Sequence, residues 1–149
     1  MRAVITRVAW ARVRVAGEVV GEIDGGICAL VGVGRGDAEP DARWLADKVV
    51  SARFFRDEND KMNRSLLDGH GALLAISQFT LYGDLRRGNR PSFGMAMDPE
   101  PARALFDGFC ARVRSHGIAV QTGRFGASMG VESLNDGPVT LLLDSSKAF

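Results

Sequence analysis

Residues 11–33 read ARVRVAGEVVGEIDGGICALVGV, and the pattern changes character twice within them. Over 11–15 apolar and charged residues alternate, with Val13 and Val15 on one face and Arg12 and Arg14 on the other, the period of a strand with one wet face. Ala16 and Gly17 supply a tight turn and the apolar pattern resumes in EVVGEI, so a β-hairpin is expected. After Gly25 and Gly26 the sequence becomes a nearly continuous apolar run, which suits a strand covered on both faces. That run is expected at the centre of a sheet, beside a meander that also takes in the preceding RAVITRV.

Working outward, the period lengthens after Pro40. Ala42, Leu45, Val49 and Ala52 fall at helical intervals, Pro40 suits a first turn, and Asp37 and Asp41 lie near the positive end of the helix dipole, predicting a helix to about Ser51. A second helix has Asp98 as its cap, Pro99 and Pro101 in its first turn, a stripe of Leu105, Phe106, Phe109, Cys110 and Val113, and Gly117 to end it. Between the two, GALLAISQFTLYGD predicts a strand over 73–81, followed by the polar loop LRRGNRPSFGMAMDP. After the second helix IAVQTGRFG, SMGVESLN and PVTLLLD predict three further strands. The last carries a buried-looking run of Val139, Leu141, Leu142 and Leu143, yet it begins with Gly137 and Pro138, residues that strands normally exclude. The sequence of elements gives an α+β (mixed α/β) fold: a curled, antiparallel-rich sheet or barrel with two helices packed outside, in a single domain.

The 149 residues suffice for one core without disulfides. Lys and Arg number 19 against 18 Asp and Glu, so a long nucleic-acid groove neutralising many phosphates is not expected, while a small footprint on RNA stays open. Cys28 and Cys110 sit on apolar patterns without ligand spacing and read as reduced core thiols, so no metal site is expected. The opening MRAVITRVAW is broken by arginines and has neither the apolar core of a signal peptide nor a membrane span, which points to the cytoplasm.

The candidate chemistry is sparse. GVGRGD lacks the spacing of a dinucleotide loop and reads as a turn. His70, between two glycines, and His116, before the glycine that ends a helix, both read as surface residues. In SQFTL, polar Ser77, Gln78 and Thr80 break into an apolar strand, so a pocket can open at a strand end; Thr80 is either a nucleophile or a hydroxyl that satisfies its own strand. RRGNRPSF clusters three arginines with a phenylalanine, the composition of a small phosphate or single-strand contact, and also that of a solvated loop. Arg124 and Phe125 in QTGRFG repeat the pairing of cation and ring, with Phe125 equally suited to a core. No acid/base pair emerges, so catalysis by this chain would rest on backbone groups and on the substrate's own functional groups.

With ITRV, DKMN, SQFTL, RPSF, TGRF and NDGPVT in this order, the chain resembles the D-aminoacyl-tRNA deacylase family from Met1 to about Leu143. The resemblance implies an editing enzyme that hydrolyses the ester joining a D-amino acid, or mischarged glycine, to the terminal adenosine of tRNA and spares the L form. It implies no cofactor and no metal. It implies a homodimer with the active site at the subunit interface, the tRNA acceptor end as partner, and no membrane. In the family a Gly-Pro pair with a cis bond sends its carbonyls into the partner subunit's site; those residues correspond to Gly137 and Pro138, and a cis bond is expected. Carbonyls near the α-carbon would crowd an L side chain and admit a D one or glycine. Ser77, Gln78, Phe79 and Thr80 correspond to the catalytic pocket, where N–H groups around Phe79 and Thr80 would polarise the ester carbonyl and the ribose 2′-hydroxyl would position or activate water. Arg7 corresponds to an arginine that steadies the Gly-Pro loop, and Phe125 and Met129 to the adenosine side of the pocket. Gly126 and Gly130 soften RFGASMGVES relative to the family pattern. Two rival readings are a non-catalytic module that binds an RNA end and a hydrolase of small D-aminoacyl esters.

Overall fold

The computed structural model describes residues 1–69 and 71–148, so the expectation for His70 lies outside the described residues. β1 (Arg2–Val15) and β2 (Glu18–Ile23) form the expected hairpin, with Ala16 at φ 50° and Gly17 at φ 86° in the turn, as a two-residue connection between twisted strands requires. β3 (Gly26–Gly32) pairs antiparallel with the first half of β1, and then parallel with β6 (Ala72–Ser77). β7 (Val120–Thr122) adds parallel to β6, giving the order β2-β1-β3-β6-β7, and β8 (Gly130–Asp144) runs antiparallel along the other edge of β1. The sheet curls until β7 approaches β2: a Cβ placed on Gly21 would lie 2.6 Å from the carbonyl oxygen of Thr122. The expected curled sheet with two outer helices is therefore present, with parallel pairing at β3, β6 and β7.

The apolar run of β3 is central because each of its faces meets a different core. Ile27, Ala29 and Val31, with Leu73 and Ala75 of β6, lie beneath α1 (Glu39–Ser51) and α2 (Pro99–Ser115), against Leu45, Val49, Phe109 and Val113. Cys28, Leu74 and Ile76 point the other way, into the curl, onto Val13 and Ile23. Burial pushes the thiol of Cys28 up to about 11 and that of Cys110 up to about 12, so both stay protonated core side chains.

Three local expectations are corrected. The strand expected over 73–81 stops at Ser77: Gln78 N–H makes a last bond to the Val31 carbonyl, and Phe79–Tyr82 then winds into a 3-10 turn closed by Gly83 N–H on the Thr80 carbonyl. The last two expected strands are one, and Gly137–Pro138 lies inside it. The register passes from Thr6↔Thr140 to Val8↔Asn135, so residues 136–139 bulge out of the ladder opposite Arg7. Asn135 spans the gap, its Oδ1 accepting from Val139 N–H at 2.9 Å and its Nδ2 donating to Thr140 Oγ1 at 3.1 Å. The run expected to be buried is also only half so: Val139 and Leu143 pack on the core, but Leu141 and Leu142 are exposed.

Asp98 occupies the start of α2 without a side-chain capping bond, whereas in α1 Asp41 accepts from Ala38 N–H at 2.9 Å. Asp37, expected at that helix end, accepts instead from Gly34 N–H at 2.6 Å, from the Tyr82 hydroxyl at 3.2 Å and from the α-ammonium of Met1 at 2.7 Å. His116 is not a free surface residue: its Nε2 lies 2.7 Å from Asp47 Oδ1, where Arg112 also binds, tying α2 to α1. A small hairpin, β4 (Phe55–Arg56) with β5 (Met62–Arg64), was not expected.

Candidate active site

Parallel pairing of β3 and β6 brings their carboxyl ends together, Val31 beside Ser77, and this is where an open sheet leaves room for a ligand. A cavity of about 530 Å³ opens there. Its floor is Val31 and Val33; Ser77, Gln78, Phe79 and Thr80 form one wall, and it is closed by Met97 just before α2, Phe106 on α2, and Phe125 and Met129 after β7. A mostly apolar concavity of this size with a few polar groups on one side suits a small organic group such as a nucleoside.

The polar wall is held from behind. Tyr82, at the end of the 3-10 turn, places its ring 4.5 Å beneath the Arg2 guanidinium and donates its hydroxyl to Asp37. Burial, with Asp37 beside it, raises the phenol well above its ordinary range, so it stays a donor. Gly34 has no room for a side chain here, since a Cβ would lie 2.5 Å from the Tyr82 ring. Phe79 and Thr80 are the first two residues of the turn, whose opening N–H groups the turn itself does not use. Thr80 Oγ1 accepts from Gln78 Nε2 at 3.0 Å. Among the described residues the cavity's ionisable side chains are Arg35 and Asp98, 3.9 Å from each other, and neither is bonded to Thr80. Nothing described therefore activates that hydroxyl as a nucleophile. Among the described residues no three His, Cys, Asp or Glu side chains are placed to hold a metal ion.

Six of the nine residues singled out in the sequence thus line one cavity: Ser77, Gln78, Phe79, Thr80, Phe125 and Met129. Phe125 serves both roles open to it, lining the cavity and meeting Phe106 at 6.2 Å between ring centroids. Arg7, Gly137 and Pro138 lie elsewhere. Arg7 is buried; its Nε donates to the Asp136 carbonyl at 2.9 Å and lies 3.1 Å from the Asp136 carboxylate, and its Nη1 donates to the Phe54 carbonyl at 2.7 Å. The Gly137–Pro138 bond is cis, Gly137 has φ 135°, and both residues are exposed on the bulge. Sequence reasoning did not place Phe93 or Phe106 at the site. The sequence shows Phe106 as part of a helix stripe and Phe93 as a loop aromatic; the Phe93 ring meets Phe79 edge-on at 5.0 Å on the cavity rim.

The family described as D-Tyr-tRNA(Tyr) deacylase matches residues 4–144 of the chain. The D-aminoacyl-tRNA deacylase of Koribacter versatilis is 53% identical over 149 residues, spanning all of both chains. That of Symbiobacterium thermophilum is 55% identical over 149 residues, spanning all of this chain and 99% of the other. Among solved structures, a c-Myc DNA unwinding element binding protein superimposes with a TM-score of 0.90 at 36% identity, over 97% of this chain and 98% of that one. A probable eukaryotic D-amino acid tRNA deacylase shares the fold, with a TM-score of 0.79 at 18% identity over 95% and 97% of the two chains.

Proposed function

The chain belongs to the D-Tyr-tRNA(Tyr) deacylase family, and from that premise we propose that it is an editing hydrolase acting on D-aminoacyl-tRNA. Water adds to the carbonyl carbon of the ester between a D-amino acid and the terminal adenosine; the C–O bond breaks, leaving a free amino acid and a ribose hydroxyl. One observation carries this reading: the residues assigned to the pocket by separated sequence motifs, 77–80 with Phe125 and Met129, converge on one cavity of nucleoside size.

The finer mechanism follows from the resemblance and is supported by what surrounds the cavity. The opening N–H groups of Phe79 and Thr80 stabilise the oxyanion. With no base beside Thr80 among the described residues, the terminal 2′-hydroxyl of the substrate positions the attacking water. Carbonyls of Gly137 and Pro138 act as the chiral filter, excluding an L side chain and admitting a D one or glycine. They lie outside the cavity of their own chain, so a second copy supplies them across a homodimer interface. β8 favours that arrangement: among the described residues it pairs with β1 alone, and it leaves Leu134 and Leu142 more than half exposed, an edge strand with apolar side chains that a second chain would cover. Among the described residues no helix is long and apolar enough to cross a membrane. We place the reaction in the cytoplasm, where its tRNA substrate is charged.

Deacylation of matched D-tyrosyl-, glycyl- and L-tyrosyl-tRNA by the purified protein, with and without chelator, tests the proposal. Rapid loss of the first two esters with the third spared and chelation without effect is expected, together with a large loss of rate on tRNA ending in 2′-deoxyadenosine. No acceleration on any ester would make the protein a binder of RNA ends, and an unchanged rate on the deoxy substrate would remove the 2′-hydroxyl from the mechanism.

A further inference from the structure

Residues 83–95 form a loop beside the cavity whose base is fixed. Asp84 and Ser92 exchange backbone hydrogen bonds of 2.8 and 2.9 Å, Gly88 turns the tip at φ 134°, and Phe93, next after the base, joins the cavity rim. Three arginines ride on this loop, and they are not equivalent. Arg86 grips Asp84, with Nε 2.9 Å from Oδ1 and Nη2 2.7 Å from Oδ2, and the pairing holds the Asp84 carboxyl down to about 2. Arg87 and Arg90 flank the tip, are exposed, and form no ion pair among the described residues, where most other arginines hold a carboxylate. Two exposed guanidiniums thus sit on a loop that joins the cavity rim at Phe93, with no carboxylate paired to them among the described residues, on a chain whose net charge is only +1.

We propose that Arg87 and Arg90 are a phosphate-binding tip that takes the backbone of the single-stranded acceptor end immediately upstream of the adenosine in the cavity. The proposal rests on the deacylase reading above. It gives a nearly neutral protein its hold on a polyanion through a local pair of charges, without a groove. Guanidinium forks match phosphate oxygens, and the contact is independent of sequence. Two neutralised phosphates correspond to a log–log salt slope of about −1.4 for a single strand.

The experiment measures kcat/KM on D-tyrosyl-tRNA and on D-tyrosyl-adenosine, which carries no phosphate, across a range of salt concentrations. It compares the parent with the double variant Arg87→Ala/Arg90→Ala, with Arg87→Lys/Arg90→Lys, and with Arg43→Ala, whose arginine pairs with Glu39 on α1. Thermal melting establishes that each variant is folded. The alanine pair is expected to lower the ratio of tRNA to nucleoside kcat/KM by about tenfold or more, through KM, and to flatten the salt slope by about 1.4. The lysine pair retains most of the slope, because charge sets counterion release, and Arg43→Ala retains all of it. A folded alanine pair with the parent's ratio and slope overturns the phosphate tip and leaves the deacylase reading standing. A parent that hydrolyses neither ester overturns both.

Discussion

The Arg7 guanidinium reaches the main chain of Asp136, donating through Nε to its carbonyl at 2.9 Å, and the next residues in the chain are Gly137 and Pro138. Through Nη1 the same side chain donates to the Phe54 carbonyl at 2.7 Å, where the chain leaves α1. One buried cation therefore fixes the bulge of β8 to the segment beneath it, and it fills the place opposite 136–139 where the ladder with β1 is interrupted. Replacing it with alanine strands two carbonyls and leaves the bulge unbraced. Arg7→Ala is expected to lower stability by about 2–4 kcal/mol. Under the proposed Gly-Pro filter, the selectivity of D over L esters is expected to fall with it. Arg7→Lys recovers little, because an ammonium cannot reproduce the fork that meets both partners. Urea denaturation alongside D- and L-tyrosyl-tRNA kinetics measures both effects, and a variant with parental stability would mean that the bulge holds itself.

Among the described residues the Thr80 hydroxyl is bonded to Gln78 and to no base. Thr80→Ala is therefore expected to lose less than about tenfold in kcat/KM, the cost of one neutral hydrogen bond on the wall, about 0.5–1.5 kcal/mol. Single-turnover kinetics on D-tyrosyl-tRNA decides the matter. A loss beyond about a hundredfold would restore the hydroxyl as an acyl nucleophile.

The sheet and both helices were legible because their signals are local periods: alternation in β1, an unbroken apolar run in β3, and stripes in α1 and α2. What escaped was set by partners far away in sequence. The strand of β6 ends at Ser77, although 78–81 retain an apolar pattern, because Tyr82 is drawn to Asp37 and Arg2. Gly137 and Pro138 looked like a strand start because nothing in their own neighbourhood announces that Asn135 bridges the gap and that Arg7 occupies it. A pocket at 77–80 is legible from polar residues breaking into a strand and its role comes through family resemblance, and only the fold shows that Phe93 and Phe106 line the same cavity.

The exposed edge of β8 predicts the assembly. Leu134 and Leu142 are 52% and 59% exposed in the single chain, along a strand that among the described residues is paired on one side. Leu134→Glu combined with Leu142→Glu is expected to convert the proposed dimer to a monomer in sedimentation, because charge on an edge opposes pairing with another chain. Deacylation should fall in parallel, because each cavity would then lack the Gly137 and Pro138 of its partner. A parent that sediments as a monomer while remaining active would remove the cross-subunit filter.

Asp47 predicts how stability responds to acid. Hydrogen bonding from Arg112, and then from His116, holds its carboxyl below the ordinary value of 3.8. A depressed folded-state value contributes stability above the unfolded value, and that contribution is lost as pH falls through the folded one. The parent should therefore shed this contribution below about pH 4, whereas Asp47→Asn lacks it throughout and has a flatter acid limb. Because the Asp47 side chain is 45% exposed, solvent screening limits the difference at neutral pH to about 1 kcal/mol or less. Unfolding midpoints of the two proteins should accordingly converge as the solution is acidified towards pH 2. Curves that stay parallel across that range would show that the link between α1 and α2 rests on packing of their apolar stripes, with the ion cluster adding nothing.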